Sequence, residues 1–554
     1  MRNFRWWASF CLVFLFACSA SSVSWNEGDE VVVFKSEVWV ADNGDGTYRN
    51  PILHADYSDP DVCRVGDDYY MTASSFNCIP GLPILHSKDL VNWTIIGHAI
   101  KSMPDNALFP EGGVVNHGGY VWAPSIRYHN GEFYIYYGDP DVGVFMTKTK
   151  DPAGEWEPLV LVKEGKGLID SCPLFDDDGQ VYLAYAFAGS RAGIKSLLAV
   201  TRLTADGKKA IGEAKIIYDG HNIDPTIEGP KFYKRNDYYY IFAPAGGVAT
   251  GWQLALRSKD IFGPYDRKVV MDQGESTTNG PHQGAWVDTK TGEDWFIHFQ
   301  DVGAFGRLTH LQPMIWKNDW PVIGEDKDND GCGNPVLTWK KPNVGQTYPI
   351  TTPAESDEFN TNSLGLQWQW HGNPMTWWFF TNQEKGWLSL YSVPQVENYK
   401  SLWDVPNLLL QKTPAPNFKA TMKLTFVPDE RFVGERTGLV VMGLDYGALI
   451  FERTQNGYIV SQVECINADK GSSEKVNATI ELKDPTIYLQ VKVNDKAQCE
   501  FSYSMNGKKY SRLGNTFQAK EGKWIGAKIG TFCSRPVGGN DGGRVDIDWF
   551  RIEK

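Results

Sequence analysis

The sequence predicts an all-β protein of two domains, a five-bladed β-propeller followed by a β-sandwich. Three observations predict it. A unit of short strand, tight turn and aromatic strand recurs five times in the first two thirds of the chain. Another set of short alternating strands follows a proline-containing linker. No long segment carries the 3.6-residue apolar period of an amphipathic helix. At 554 residues the chain exceeds one ordinary domain.

The five aromatic runs are Tyr69-Tyr70-Met71-Thr72, Phe133-Tyr134-Ile135-Tyr136, Val181-Tyr182-Leu183-Ala184, Tyr238-Tyr239-Tyr240-Ile241 and Trp295-Phe296-Ile297-His298. Each follows a turn rich in Gly, Asp or Asn. The copies lie roughly 50–65 residues apart, close to the repeat length of four-stranded propeller blades. Counting back nine residues from the turn reaches Asp59, Trp122, Asp170 and Glu228, and in the fifth copy Gln283 beside His282. Equivalent positions of a radial repeat meet at its axis, so this spacing predicts that three acids, a Trp and a His face one another there.

The ends of the repeat set the domain limits. Residues 1–20 read as a secretory signal: Arg2 and Arg5 precede the apolar run Trp6 to Ala17, which is short for a bilayer span. Leu15-Phe16-Ala17-Cys18 resembles a lipoprotein box with Cys18 as the lipidated residue, apart from the bulky Phe16. A lipid-anchored periplasmic or outer-membrane protein and a plainly secreted one both stay open. Residues 21–47 form a polar lead-in, 48–342 the propeller, 343–355 the linker and 356–554 the sandwich. In the last, runs such as Ala420 to Phe426 and Ile487 to Val493 alternate with the period of a half-buried strand. The seven cysteines after the leader stand singly without metal-ligand spacing, and Cys465 with Cys499 is a candidate pair.

Composition narrows the partners. A net charge of -13 argues against nucleic acid and against an anionic membrane, leaving a lipid anchor as the one membrane link. An aromatic content of 13% suits sugar faces as well as strands. Two carboxyls, one protonated and one ionised, are the minimum for cleaving a glycosidic bond. Asp170 follows the apolar pair Leu168-Ile169, and Glu228 lies between Ile227 and Gly229, where partial burial raises a carboxyl pKa as a general acid requires.

Several motifs in one order then resemble glycoside hydrolase family 43. They are Asn50-Pro51-Ile52-Leu53 with Ser58-Asp59-Pro60, Arg64 to Tyr70, His86-Ser87-Lys88-Asp89-Leu90-Val91-Asn92-Trp93, Trp122-Ala123-Pro124, Ile169-Asp170-Ser171 and Glu228-Gly229-Pro230. The resemblance implies an inverting glycosidase with Asp59 as general base, Asp170 as pKa modulator and Glu228 as general acid. It implies a concanavalin-like (jelly-roll) sandwich that lends a loop to the pocket rim, matched at Gly530-Thr531-Phe532-Cys533-Ser534, with Phe532 closing the pocket. Arg307 matches an arginine that reaches substrate hydroxyls, and Phe76 and Trp122 are candidate platforms for a pentose. His282 matches an axial histidine that in many relatives lies near calcium or water; calcium prefers oxygen ligands, so any ion there is structural and none is required for catalysis.

The expected activity is exo-acting release of terminal α-L-arabinofuranosyl or β-D-xylosyl units from arabinoxylan, arabinan, xyloglucan or xylo-oligosaccharides. Asn77-Cys78 after Ser75-Phe76 replaces the aromatic wall of better-known xylosidases and leans the reading toward arabinofuranose. A strict β-xylosidase, an endo-arabinanase, a retaining fructan hydrolase and a non-catalytic carbohydrate-binding propeller are the alternatives.

Overall fold

The computed structural model describes residues 34–104, 110–397 and 399–554. The segment read as a secretory signal, with Cys18, lies outside the described residues. The chain folds as a five-bladed propeller and a C-terminal sandwich, and among the described residues the longest helical piece is the single turn Gly189–Ala192.

Blades I to IV are antiparallel four-stranded sheets built from consecutive strands. Their inner strands are Asp61–Val65, Trp122–His129, Leu168–Phe175 and Lys231–Arg235. That of blade V is His282–Asp288. The five aromatic runs all fall in the second strands, where both faces are covered by neighbouring blades and large side chains fill the wedge between sheets. Contacts join the inner strands of blades V, I, II, III and IV in turn, and the second strand of blade IV meets the inner strand of blade V, which sets the blades around a common axis.

Blade V is completed from the other end of the domain. Leu53–Asp56 pairs antiparallel with Arg307–Lys317, so an early segment joins the last sheet and closes the ring. Asn50 locks this closure. Its side-chain amide donates to the Leu311 and Val336 carbonyls at 2.8 Å and its oxygen accepts from the Leu311 N–H at 2.8 Å. Closure leaves no open sheet edge between first and last blades, which removes the pairing hazard of free strands.

The sandwich packs two eight-stranded sheets face to face. Its core alternates inward residues of both sheets, among them Met422, Leu424, Leu489 and Ile547 of one and Leu439, Leu449, Val460 and Ile529 of the other, all essentially inaccessible. It docks on blade I through a two-way backbone bridge between Ile79 and Trp370, and Gln369 donates to the Pro80 carbonyl. All seven cysteines of the described residues are free thiols, so Cys465 and Cys499 do not pair.

Candidate active site

The head of every inner strand carries one residue in the left-handed region: Asp59 (φ 55°), Ala123 (φ 25°), Asp170 (φ 58°), Gly229 (φ 59°) and Gln283 (φ 37°). Only one of the five is glycine. Such a conformation costs about 1–3 kcal/mol at a residue with a side chain and persists where the surroundings over-determine it. In blades II, III and V the strand register shifts at the same place, as a bulge does. The kinks turn side chains out of the sheets toward the axis and free backbone N–H groups. Trp122 and Glu228 stand one residue before their kink, whereas Asp59 and Asp170 stand at it.

Those freed donors hold the acids. Asp59 is buried and accepts from Ser58 Oγ at 2.7 Å and Ser74 Oγ at 2.6 Å. Ser74 Oγ in turn accepts the N–H of Ala123, the blade II kink, at 2.8 Å. Asp170 is buried and accepts the Gly229 N–H, the blade IV kink, at 2.8 Å. A Cβ on Gly229 would meet Gln283 Cγ at 2.8 Å, so glycine is required there both by φ and by the close approach of blade V.

Arg307, whose own N–H donates to Asp56 Oδ1 at 2.8 Å, reaches from blade V into the same site. Its guanidinium donates to Ser58 Oγ at 2.8 Å and to Asp59 Oδ1 at 3.3 Å. The side chain is 11% exposed, so this arginine is built into the pocket and is not part of the outer surface.

Two of the acids are driven toward the protonated form. Burial raises the Asp170 carboxyl pKa first, and the negative charge of Asp59 raises it further. Burial also leads for Glu228, then Asp170, with Arg307 opposing and Asp59 adding. The Glu228 side chain remains 32% exposed. It therefore sits in a protein-walled pocket that solvent reaches only from the mouth, the placement a proton donor to an incoming molecule needs.

His282 is buried, with Nε2 3.5 Å from Glu228 Oε1. Burial lowers its pKa to about 3, so it is a neutral imidazole beside a protonated acid. Calcium takes six to eight oxygens. Around His282 the described residues supply one nearby carboxylate and further buried imidazoles, His298 and His310, and the three-acid group of the described residues, Asp326, Asp328 and Asp330, does not include it. The protein side chains there do not fit a directly bound calcium.

The rim departs from the sequence reading in three places. Phe532 is completely buried on Lys528–Arg535, a strand paired on both sides, and packs against Leu410, Val440 and Tyr446 inside the sandwich. It does not reach the pocket. The preceding loop does: Gly526 donates to Asp56 Oδ2 at 3.0 Å and Ala527 to the Ala304 carbonyl at 2.7 Å. That docking sets Trp524, 44% exposed, beside Arg307 and Asp301 in one cleft and 5.8 Å edge-on from Trp122. Phe76 is buried and packs edge-on against Trp122 at 6.0 Å, so it backs the tryptophan. Asn77 does not face sugar either. It donates to the His371 carbonyl at 2.8 Å and accepts from Gly118 N–H at 3.0 Å, tying blade I to the sandwich.

Comparison with known proteins decides the family. The model of glycosyl hydrolases family 43 matches residues 48–321, and that of the β-xylosidase C-terminal concanavalin A-like domain matches 356–553. The chain belongs to glycosyl hydrolase family 43. A protein of Xylanibacter ruminicola with the provisional name beta-xylosidase is 40% identical over 497 residues, 88% of this chain and 86% of its own. A non-reducing end alpha-L-arabinofuranosidase of Bacteroides ovatus is 31% identical over 533 residues, 91% of this chain and 94% of its own. The solved xyloglucan-locus GH43B structure of Bacteroides ovatus superposes with a TM-score of 0.78 at 27% identity, covering 92% of this chain and 99% of that one.

In this family 43 hydrolase the sequence reading missed Ser74, Asp56 and Trp524. Ser74 and Asp56 carry no motif of their own, since their importance lies in partners far along the chain. Trp524 had a signal: an aromatic among Gly522, Lys523 and Gly526 marks a loop tip with an apolar side chain in the open.

Proposed function

We propose that the protein is an exo-acting, inverting glycosidase that removes terminal β-D-xylosyl and α-L-arabinofuranosyl units from plant pentosan oligosaccharides. Glu228 gives its proton to the leaving oxygen. Asp59 takes a proton from water as the water attacks the anomeric carbon from the opposite face. Asp170 keeps Glu228 protonated and is anchored by Gly229. The observation that carries this reading is the asymmetry of the three axial acids: one carboxyl at the mouth driven toward its acid form, and one paired with Arg307 and two hydroxyls. A non-catalytic propeller has no need of that asymmetry.

The two sugars present their hydroxyls and scissile bond alike, so one pocket takes both. The similarity to relatives named for either sugar supports this. With Asn77 engaged at the domain seam, it no longer favours arabinofuranose over xylose. The sandwich loop beside the site narrows the mouth, which supports exo action over the open groove of an endo-arabinanase.

The test is turnover of aryl β-D-xyloside and aryl α-L-arabinofuranoside, with product sizes from xylotetraose. The reading predicts cleavage of both aryl glycosides and release of xylose one unit at a time. Turnover of neither, or internal cleavage of the tetraose, contradicts it.

The neighbours of Glu228 give two more expected outcomes. Asp170→Asn removes a negative charge that raises the Glu228 pKa, so the basic limb of the kcat/KM pH profile should move to lower pH; an unmoved limb would place the controlling charge elsewhere. Trp524→Ala should raise KM for xylotriose about 3–10-fold through loss of an aromatic contact to the leaving sugar. Inhibition by free xylose, which occupies only the inner subsite, should stay unchanged.

A further inference from the structure

A recess at the propeller–sandwich seam lies apart from the axial acids. It is lined by His54 of blade V, His98 of blade I and Lys412 of the sandwich, with Tyr57, Trp93, Gln411 and Glu355 around them. Lys412 brings an amine with no hydrogen-bond acceptor among the described residues; it stands over the face of Tyr57, 5.0 Å away. His54 and His98 are more than nine-tenths buried, and His54 Nδ1 has no hydrogen-bond partner. Burial keeps both imidazoles neutral, so each retains one N–H to donate.

The charges do not balance. Lys528, which is buried, acts on the half-buried Lys412 as a like charge, and its own amine donates to the neutral Gln369 Oε1 at 2.6 Å. The carboxylate acting on Lys412 is Asp56, already engaged by the N–H groups of Arg307 and Gly526. The Glu355 carboxyl on the recess wall is held by Ser36 Oγ at 2.8 Å and is not among the charges acting on Lys412. Lys528, buried, and Lys412, half-buried on the recess wall, thus share one carboxylate. A buried charge without a partner is costly, and the remedy is a counter-ion or loss of the proton.

We propose that this recess binds one small monovalent anion, chloride or a short carboxylate such as formate, held by Lys412 with the imidazoles of His98 and His54. The anion supplies the missing negative charge at the seam. It bridges a sandwich strand to blades I and V, on the side of Asp56 that positions Arg307 and the Trp524 loop. It concerns domain docking and is independent of which sugar is cleaved.

The test reads stability and density, not hydrolysis. The full protein is titrated with chloride at constant ionic strength, with bulky methanesulfonate as the replaced ion, and crystals are soaked in bromide. The expected result is a saturable Tm rise of about 5 °C and an anomalous bromide peak between Lys412 Nζ and the two imidazoles. Lys412→Met should abolish both, and without chloride its Tm should equal or exceed that of the wild type. Should Lys412→Met fail to fold, His98→Leu should still weaken the chloride midpoint at least tenfold. A recess holding only water in the bromide crystal, or a chloride response identical in wild type and variant, overturns the proposal.

Discussion

Glu228→Gln is expected to lower kcat on xylo-oligosaccharides by about 10²–10⁴-fold, the range for loss of a positioned general acid. The loss should depend on the leaving group. A sugar alkoxide cannot depart without a proton, whereas an activated aryl oxide nearly can, so the variant should retain most of its activity on a dinitrophenyl xyloside. The basic limb of the wild-type pH profile should vanish on that substrate. The physical cause lies in burial and in the charges of Asp170 and Asp59, which hold the Glu228 proton above the ordinary carboxylate range. An equal loss on both substrates would remove Glu228 from the role of acid.

Asp59→Asn is expected to lower kcat by a similar or larger factor, again at least about 10²–10⁴-fold, but on aryl and natural substrates alike. Every substrate needs its water activated, whatever leaves. The amide cannot take that proton, although it keeps the size of the carboxylate and its one oxygen can still accept from Ser58 and Ser74; the acceptor for Arg307 is lost. A variant that keeps KM and loses kcat fits a group acting on water. Selective loss on poor leaving groups would instead make Asp59 the acid.

These two acids were legible in the sequence because a radial repeat converts spacing into geometry. Equal distance from a turn that follows the inner strand becomes equal distance from an axis, and Asp59, Asp170 and Glu228 meet there as the count predicts. The count misses by one residue in two blades, because the left-handed kink falls on Ala123 and Gly229 rather than on Trp122 and Glu228. Backbone handedness at a non-glycine residue leaves no mark in composition or period. The rim was least legible for a related reason. Phe532 and Trp524 are both aromatic and near glycines, and which of them meets the propeller depends on how the two domains dock. The same holds for Asn77, whose polar character suggested a changed sugar pocket and whose partner is a carbonyl in the other domain.

The site also carries a cost in stability. Asp170 and Glu228 have folded pKa values above their unfolded ones, so the folded state binds more protons between the two. Stability from these groups is then present below the unfolded pKa and falls as pH rises toward the folded one. Function is obtained at an axis where charge, burial and backbone conformation all oppose folding, as at many active sites.

The mechanism stands on Glu228 and Asp59 acting from opposite faces of one sugar ring in a single displacement. The direct measurement is proton NMR of the first product formed from a β-D-xyloside, before the sugar mutarotates. Inversion predicts α-D-xylopyranose as the initial anomer. Initial β-D-xylopyranose would mean two displacements through a covalent sugar–carboxylate intermediate, and would contradict the roles given to both residues.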